Sequence, residues 1–203
     1  MANPKSSARG PGRPRAFDAD AVLDTAVEVF WRDGFHGASV PDISKATGLS
    51  TSSLYNAYDS KLGLFEAALD RYLDVVVGNF MYRPLLEGGA GLQDIEAYLD
   101  RLESTVTTVP PRGCLAINTI AEFRDPSPAV AKRTERYREE LRAGLSAALN
   151  RAVERGEIAA GSVETRLDSL VPIIIAFNLF LTARVPDGET RGLMRAARAV
   201  LRS

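Results

Sequence analysis

The sequence predicts an all-α protein of about nine helices, and three features support that prediction. Apolar residues recur three and four positions apart through most of the chain after Ala16, as they do in helices with one buried face. Glycines and prolines interrupt this pattern where one helix should end and the next begin. No stretch of the sequence alternates apolar and polar residues in the manner of a half-buried strand.

The first four helices are predicted before a glycine-rich loop at residues 88–91. Short polar residues that can cap a helix precede each of them: Asp18 or Asp20, Ser39, Ser50 and Ser60. Gly34 and Gly48 are expected to end the first and second helices. The third helix runs to about Tyr58, and the fourth has one apolar face that begins at Phe65.

Five more helices are predicted after the glycine-rich loop. Their approximate ranges are 92–106, 113–125, 127–156, 163–184 and 193–201. Pro110 and Pro111 are expected to end the first of these, because proline cannot continue a helix. Gly156 is expected to end the longest.

The run from Leu170 to Val185, in the eighth predicted helix, is the most apolar stretch of the chain. It is shorter than the roughly 20 apolar residues that a bilayer requires and contains Asn178, so no membrane span is expected. A helix that is apolar on nearly every face should be buried on nearly every face, within the monomer or against a second copy. We favour a homodimer in which the eighth and ninth helices of two chains form the interface.

The charge balance excludes a protein that holds nucleic acid by bulk charge. There are 25 Lys and Arg against 26 Asp and Glu, which gives a net charge of -1. Residues 1–16 carry four basic side chains and no acid among several prolines and glycines, so a flexible basic arm is predicted there. The rest of the chain carries 21 basic and 26 acidic residues and is therefore acidic.

Cysteine and histidine content excludes several other classes. One residue of each type is too few for a disulfide framework or a structural zinc site, so no metal and no cofactor is predicted. The sequence has no phosphate-binding glycine loop and no recognisable nucleophile with a histidine base, which argues against an enzyme. The arm lacks the apolar core of a signal peptide, so a cytoplasmic location is expected.

The segment from Ser39 to Lys61, SVPDISKATGLSTSSLYNAYDSK, has the clearest functional pattern. Two short helices separated by residues 47–49 have the spacing of a helix-turn-helix, whose tight turn needs a glycine. The apolar residues face inward, which leaves an outward set of polar groups: Thr51, Ser52, Tyr55 and Asn56. These side chains suit base edges and phosphates in a major groove, although core packing of Tyr55 is an alternative.

An ordered series of residues around this segment resembles the TetR-like family of one-component transcriptional regulators. The series comprises Ala26 to Phe30, Gly34-Phe35, Ser39 to Ile43, Gly48 to Ser50, Leu54-Tyr55, Tyr58, Lys61 and Leu64-Phe65. The resemblance implies a DNA-binding domain at residues 17–62 and a ligand-binding and dimerisation domain at residues 63–203. Ser44 and Tyr58 depart from the alanine and phenylalanine that are usual in the family.

The resemblance also implies roles for individual residues. Base contacts fall to side chains of the third helix: Thr51, Ser52, Ser53 and Ala57. Phosphate contacts fall to three others: Ser39, Tyr55 and Lys61. A lysine in the first turn of a helix opposes the helix dipole, which a nearby phosphate would compensate. Arg13 and Arg15 resemble arginine arms that enter an AT-rich minor groove, and a solvated tail is the alternative.

A ligand pocket in the C-terminal half is a further implication of the resemblance. Its candidate lining residues are Tyr98, Leu102, Cys114, Asn118, Phe123, Tyr137, Phe177 and Asn178, and simple core packing is the alternative for each. Cys114 follows Arg112 at the start of a predicted helix, where the dipole and the guanidinium can lower a thiol pKa. It is interpreted either as a reactive switch or as a buried inert thiol.

Together these features predict a homodimeric repressor that a small-molecule effector releases from a palindromic double-stranded DNA operator. Two alternatives within regulation are a transcriptional activator and a cysteine-based redox or electrophile sensor. An all-α small-molecule binding protein without DNA function is the alternative from another class.

Overall fold

The computed structural model describes residues 17–107 and 112–203, without the side chain of Phe80. All regular structure within these ranges is helical, which confirms the all-α class. The helices are α1 (Ala19–Gly37), α2 (Val40–Thr47), α3 (Thr51–Tyr58), α4 (Lys61–Tyr72), α5 (Arg83–Glu87), α6 (Leu92–Ser104), α7 (Leu115–Glu122), α8 (Pro128–Glu154), α9 (Val163–Thr182) and α10 (Asp187–Arg202).

A π-helical segment, Leu73–Tyr82, joins α4 to α5, so that one continuous helical stretch runs from Lys61 to Glu87. The sequence predicted this stretch as a single fourth helix and therefore counted nine helices where the described residues form ten α-helices. π-Helical hydrogen bonding is rare and occurs mostly at functional sites. The residues of this segment are apolar on several faces, so their spacing did not reveal it.

The predicted side-chain caps are present at the starts of the first four helices. Asp18 accepts hydrogen bonds from the amides of Asp20 and Ala21, which decides between the two candidates for the first cap. Ser39, Ser50 and Ser60 each accept from the amide three residues ahead. Gly34 does not end α1 as predicted. It has a φ of 72° and kinks the helix, which continues to Gly37.

α1 and α4 form the support for the helix-turn-helix. Phe30 of α1 and Phe65 of α4 pack edge to face with ring centroids 5.0 Å apart, and both are buried. Ile43 of α2 and Leu54 of α3 are buried in the same core. Because the inward faces of α2 and α3 are fixed in this way, their outward faces are held in one orientation relative to α4.

The C-terminal half packs α8, α9 and α10 together. One face of α9 is fully buried through Leu170, Ile174 and Phe177. Its other apolar side chains remain partly exposed in the monomer: Val171, Ile173, Ile175, Leu179 and Phe180. Burial within the monomer therefore accounts for only part of the apolar surface of α9.

The helical residues Ala160–Thr182 are long and apolar enough to cross a bilayer, judged by length and composition alone. The sequence-based expectation considered only the most apolar run, Leu170 to Val185, which is shorter than this helix. The helix also contains Pro172 and Arg166, whose guanidinium donates to the carbonyl of Val200 in α10. One such helix is weak evidence for a membrane span, since the core helix of a soluble protein meets the same criteria.

Candidate DNA interface and effector cavity

The turn between α2 and α3 is closed by local hydrogen bonds. Gly48 has a φ of 72°, a conformation that favours glycine. The hydroxyl of Thr47 donates to the carbonyl of Ile43 at 2.8 Å and accepts from the amide of Leu49 at 3.3 Å. Ser44 donates to the carbonyl of Leu49. The serine at this position therefore fastens the turn that orients α3.

α3 presents polar side chains on the face opposite its core residue. Leu54 is 1% exposed, whereas Tyr55 is 44% exposed. Ser52 and Asn56 are exposed beside it. The alternative that Tyr55 is a core aromatic is therefore wrong, because its ring lies at the surface of the helix that the turn orients.

The remaining predicted contacts on α2 and α3 are less accessible. Three of the predicted base-contacting residues are half-buried: Thr51, Ser53 and Ala57. The Ser53 hydroxyl lies 2.8 Å from the hydroxyl of Ser50, within the cap of α3. The Ser39 hydroxyl accepts from the amide of Asp42 and is hydrogen-bonded to the Asp42 carboxylate. To donate to a phosphate, the Ser39 hydroxyl would have to leave this carboxylate.

Lys61 begins α4 with its ammonium over an aromatic ring. Its Nζ lies 4.6 Å from the centroid of the Phe35 ring, a cation–π contact. The ring thereby offsets part of the unfavourable helix-dipole energy, for which the sequence alone suggested only a phosphate. Arg13 and Arg15, the other predicted basic contacts, lie outside the described residues.

The first four helices offer little free positive charge. Arg71 forms ion pairs with two carboxylates of α1 at 2.7 and 2.9 Å, and Arg32 pairs with Asp33 at 2.6 Å. The basic residues between 17 and 74 that remain are Lys45 and Lys61. Contact with DNA must therefore depend on a few placed side chains rather than on a basic surface.

A cavity of about 160 Å³ lies at the inner end of α4, where the two halves of the chain meet. Five of the eight predicted ligand-binding residues line it: Tyr98, Leu102, Cys114, Tyr137 and Asn178. The remaining walls are Trp31, Tyr72, Val76, Val77, Met81, Tyr82, Thr105 and Gly113. The π-helical segment thus supplies four walls: Val76, Val77, Met81 and Tyr82.

Three aromatic walls of this cavity, Trp31, Tyr72 and Tyr82, were not predicted from the sequence. The indole Nε1 of Trp31 donates to the carbonyl of Gly113 at 3.2 Å, and its ring meets that of Tyr72 at a centroid distance of 5.1 Å. The helical period of α4 places Tyr72 inward, but no local pattern pairs it with Trp31. The contact depends on how α1 crosses α4.

The other three predicted ligand-binding residues lie outside the cavity. Asn118 donates to the carbonyl of Arg112 at 2.8 Å and accepts from the hydroxyl of Thr182, which joins α7 to α9. Phe177 is fully buried in the core. Phe123 follows the last residue of α7 and packs against Phe35 of α1, with centroids 5.0 Å apart. The shortness of α7 places this ring at the domain junction rather than at the cavity.

Cys114 is a buried thiol, as the second of the two interpretations predicted. It is 6% exposed, and its Sγ accepts a hydrogen bond from the Tyr72 hydroxyl at 3.4 Å. Burial raises the pKa of Cys114 above its ordinary value. The alternative of a thiol activated by Arg112 is wrong, because that guanidinium pairs with Glu28 and lies over the Trp31 ring.

Four tyrosines contribute hydroxyl groups to the cavity. Burial raises the pKa of Tyr72, Tyr82, Tyr98 and Tyr137, so all four remain protonated near neutral pH. Tyr72 also accepts from the amide of Leu115 at 3.3 Å. The Tyr82 hydroxyl, in contrast, is buried and makes no hydrogen bond of ordinary geometry with the described residues.

Comparisons with known proteins match both halves of the chain. The family model for bacterial regulatory proteins of the tetR family matches residues 22–68, and the model for the tetracyclin repressor-like C-terminal domain matches residues 91–200. The second match alone spans more than half of the chain. The protein belongs to the TetR family. It is a DNA-binding transcriptional regulator.

Relatives of this TetR-family regulator include two curated proteins that cover most of its length. The transcriptional repressor ComR of Escherichia coli K12 is 30% identical over 192 residues, which is 94% of this chain and 90% of ComR. The regulator YezE of Bacillus subtilis 168 is 31% identical over 175 residues, which is 84% of this chain and 87% of YezE.

A solved structure extends the comparison to DNA. It is a cysteine-substituted form of the TetR-family regulator CifR in complex with 26-base-pair operator DNA. The TM-score is 0.77, the sequence identity is 29%, and the match covers 92% of this chain and 99% of that one. The similarity therefore includes both domains.

In this TetR-family regulator, α7 is joined to the DNA-binding domain by one carboxylate. Glu122, the last residue of α7, accepts from the backbone N–H of Phe35 at 2.9 Å and from that of His36 at 2.7 Å. The kink at Gly34 exposes these two amides at the end of α1. The other end of α7 begins next to Cys114 on the cavity wall. One short helix thus touches both the cavity and the support of the helix-turn-helix.

Proposed function

We propose that this regulator is a homodimeric repressor that leaves a palindromic operator when a small molecule occupies the cavity. The observation that carries this proposal is the position of Tyr72. It is the last residue of α4, whose first residue adjoins α3, and it is also a wall of the cavity. A change in the cavity can therefore reach α3 through a single helix.

The DNA-binding part of the proposal rests on the exposed face of α3. Ser52 and Asn56 offer hydrogen-bonding groups to base edges, and the Tyr55 hydroxyl donates to a phosphate. Lys61 adds a positive charge at the start of α4. Thr51, Ser53 and Ala57 lie closer to the core and supply close van der Waals contact with bases and sugars. Minor-groove contact by Arg13 and Arg15 is part of the same proposal.

A dimer formed through α9 and α10 supplies the two-fold symmetry that a palindromic site requires. The partly exposed apolar side chains of α9 support this surface as the interface. Leu193 and Val200 of α10 extend it, since both are apolar and half-buried in the monomer. An apolar surface of this kind is typical of obligate homodimers. In the dimer, the separation of the two α3 helices depends on the orientation of each α4.

The release step couples the cavity to the DNA-binding surface through a change between two arrangements of the helices. A ligand in the cavity touches the π-helical segment and the α4 end together. Conversion of the π-helical segment toward α-helical hydrogen bonding would rotate α4 relative to α8, and Glu122 would carry the movement of α7 to α1. Binding that favours this arrangement lowers the operator affinity by the same factor by which the operator lowers ligand affinity.

Repression is favoured over activation by one relative that covers nearly the whole chain. ComR is named a repressor and is matched over both domains. The redox alternative lacks support from the cysteine, because Cys114 is buried with a raised pKa and the thiolate is the reactive form. We place the protein in the cytoplasm, where its DNA is, and assign it no enzymatic activity and no cofactor.

Two experiments test this function. Selection from random DNA sequences should yield a two-fold symmetric site that the purified protein binds as a dimer, and failure to enrich any sequence would overturn the DNA-binding proposal. Deletion of the gene should raise expression of the genes next to the selected site. A fall in their expression would assign activation instead.

A further inference from the structure

The described residues that line the cavity include no ionised side chain. Among the thirteen described lining residues there is no Asp, Glu, Lys, Arg or His, and the polar side-chain groups are four phenols, one indole N–H, one thiol, one hydroxyl and one amide. An ionised ligand would leave water without gaining a counter-charge, which costs several kcal/mol. The cavity therefore selects for ligands that carry no charge.

One wall residue has an unused hydrogen-bond donor. Tyr82 is 2% exposed, and its hydroxyl donates to no group at ordinary hydrogen-bond geometry in the part of the chain that the structure describes; the Tyr137 hydroxyl interacts with it as a donor, which leaves the Tyr82 proton available. A buried polar group without a partner is destabilising, and such groups are uncommon in native structures. A ligand atom that accepts a hydrogen bond would remove this cost. The neighbouring rings of Tyr98 and Tyr137 lie 6.3 and 6.0 Å from the Tyr82 ring.

The volume and the shape of the walls limit the size of the ligand. An apolar cavity of about 150 Å³ in another protein takes up benzene, and the volume here is about 160 Å³. Four phenol rings and one indole surround this space, and aromatic walls pack well against a flat ring. The space suits one ring with a short substituent.

We propose that the cavity binds an uncharged, single-ring molecule whose oxygen atom accepts a hydrogen bond from Tyr82. This inference rests on the proposed function in one respect, since it names the chemical class of the effector that the repressor would sense. Ring ketones, phenyl ketones and neutral phenols belong to this class. Carboxylates and amines that are ionised at neutral pH are outside it.

Three probes of similar size separate the elements of this proposal. Acetophenone has the ring and the acceptor, α-methylstyrene replaces the carbonyl oxygen by a methylene group, and benzoate adds a negative charge. Calorimetric titration of the DNA-free dimer should detect acetophenone and α-methylstyrene but not benzoate. Binding of benzoate at least as tight as that of acetophenone would overturn the selection against charge.

The Tyr82→Phe variant tests the hydrogen bond. The dissociation constant of acetophenone is divided by that of α-methylstyrene, once for the wild type and once for the variant. The difference in hydration between the two probes is the same in both ratios, so it cancels when the ratios are compared. The variant should shift this ratio about ten-fold against acetophenone. Thermal unfolding verifies the fold of the variant, which loses one hydroxyl that interacts at most weakly with that of Tyr137. An unchanged ratio would overturn the role of Tyr82.

The Val76→Phe variant tests the location, because the larger ring fills the cavity from the π-helical segment. Acetophenone binding should be lost, with thermal unfolding used to verify the fold. Persistent binding would place the ligand elsewhere and overturn the proposal. Fluorescence anisotropy with the selected operator then tests the function separately: acetophenone that binds the cavity without releasing DNA supports the ligand class and contradicts ligand-induced release.

Discussion

The carboxylate of Glu122 accepts a hydrogen bond from the backbone N–H of Phe35 at 2.9 Å, across the boundary between the DNA-binding and C-terminal domains. A second bond, from the amide of His36, makes the carboxylate a cap for two donors that the kink of α1 leaves free. Gly34 permits this kink, and an added Cβ there would lie 3.0 Å from the Glu122 oxygens. The contact holds the end of α7 against the support of the helix-turn-helix.

Replacement of Glu122 by alanine is predicted to lower the free energy of unfolding by about 1–3 kcal/mol, because the partly buried amide of Phe35 and the exposed amide of His36 lose their acceptor. Glu122→Gln should fall between this variant and the wild type, since its amide has one acceptor oxygen. Urea denaturation measures both. Glu139→Ala, an exposed glutamate on α8, is the matched control and should change stability by less than about 0.5 kcal/mol. Equal effects of the two alanine variants would contradict the capping role.

Tyr55→Phe should weaken operator binding about ten-fold, because the variant loses a hydrogen bond to a charged phosphate. Its thermal stability should not change, since the ring is 44% exposed and the hydroxyl is all that is removed. Fluorescence anisotropy with the selected operator gives the affinity. Leu86→Ala controls for the loss of a similarly exposed side chain, at 47%, away from α3. Undiminished affinity of Tyr55→Phe would remove its phosphate role.

The features that the sequence predicted well depend on neighbours within one or two helical turns. A serine three residues before the amide that it caps is visible as a spacing, and so are Leu54 inward and Tyr55 outward on one short helix. Cavity residues on the predicted inward faces, such as Tyr98 and Tyr137, follow from the same period. Local periodicity thus accounts for the helices and for part of the cavity.

The features that the sequence did not predict depend on how distant helices cross. Trp31 and Gly113 are 82 positions apart, and Glu122 and Phe35 are 87 apart. No helical spacing links such pairs. The same reason explains why the sequence left a reactive Cys114 open as an alternative, because the partner that occupies Arg112 is Glu28, on α1. The position of Phe123 at the domain junction also required the angle between α7 and α1.

Ile175→Asp on α9 is predicted to convert the dimer into monomers. The side chain is partly exposed in the single chain, so a carboxylate there can reach water in a monomer but would be buried without a partner in a dimer. Sedimentation velocity measures the change, and operator affinity should fall with it. Ile120→Asp places the same charge on α7 at an apolar residue that is 42% exposed, and should remain dimeric. A dimeric Ile175→Asp variant would exclude this part of α9 from the interface.

Deletion of residues 2–15 tests the basic arm. The deletion removes four positive charges per chain, so operator affinity should fall. The slope of log affinity against log salt should become shallower by about 0.9 for each DNA phosphate that the arm no longer neutralises. Anisotropy titrations between 50 and 200 mM salt, a range of roughly four-fold, give the slope. An Arg13→Ala, Arg15→Ala double variant shows whether those two arginines carry the effect. An unchanged slope in the deletion would leave the arm as a solvated tail.

Alkaline pH should destabilise the protein through its buried thiol and phenols. Burial raises the pKa of Cys114 above 9.0 and that of Tyr72, Tyr82 and Tyr137 above 10.0, so the folded chain keeps protons that the unfolded chain releases. The stability is fully present below pH 9 and is lost as the pH rises toward the folded pKa values, by up to about 1.4 kcal/mol per pH unit for each group. Urea denaturation between pH 7 and about pH 10.5 measures this loss.

The Cys114→Ser variant separates the thiol from the phenols. It should abolish the loss of stability that begins near pH 9 and keep the loss above pH 10, because the phenols remain. Identical pH profiles for the two proteins would mean that the thiol titrates normally and is not desolvated as the structure indicates.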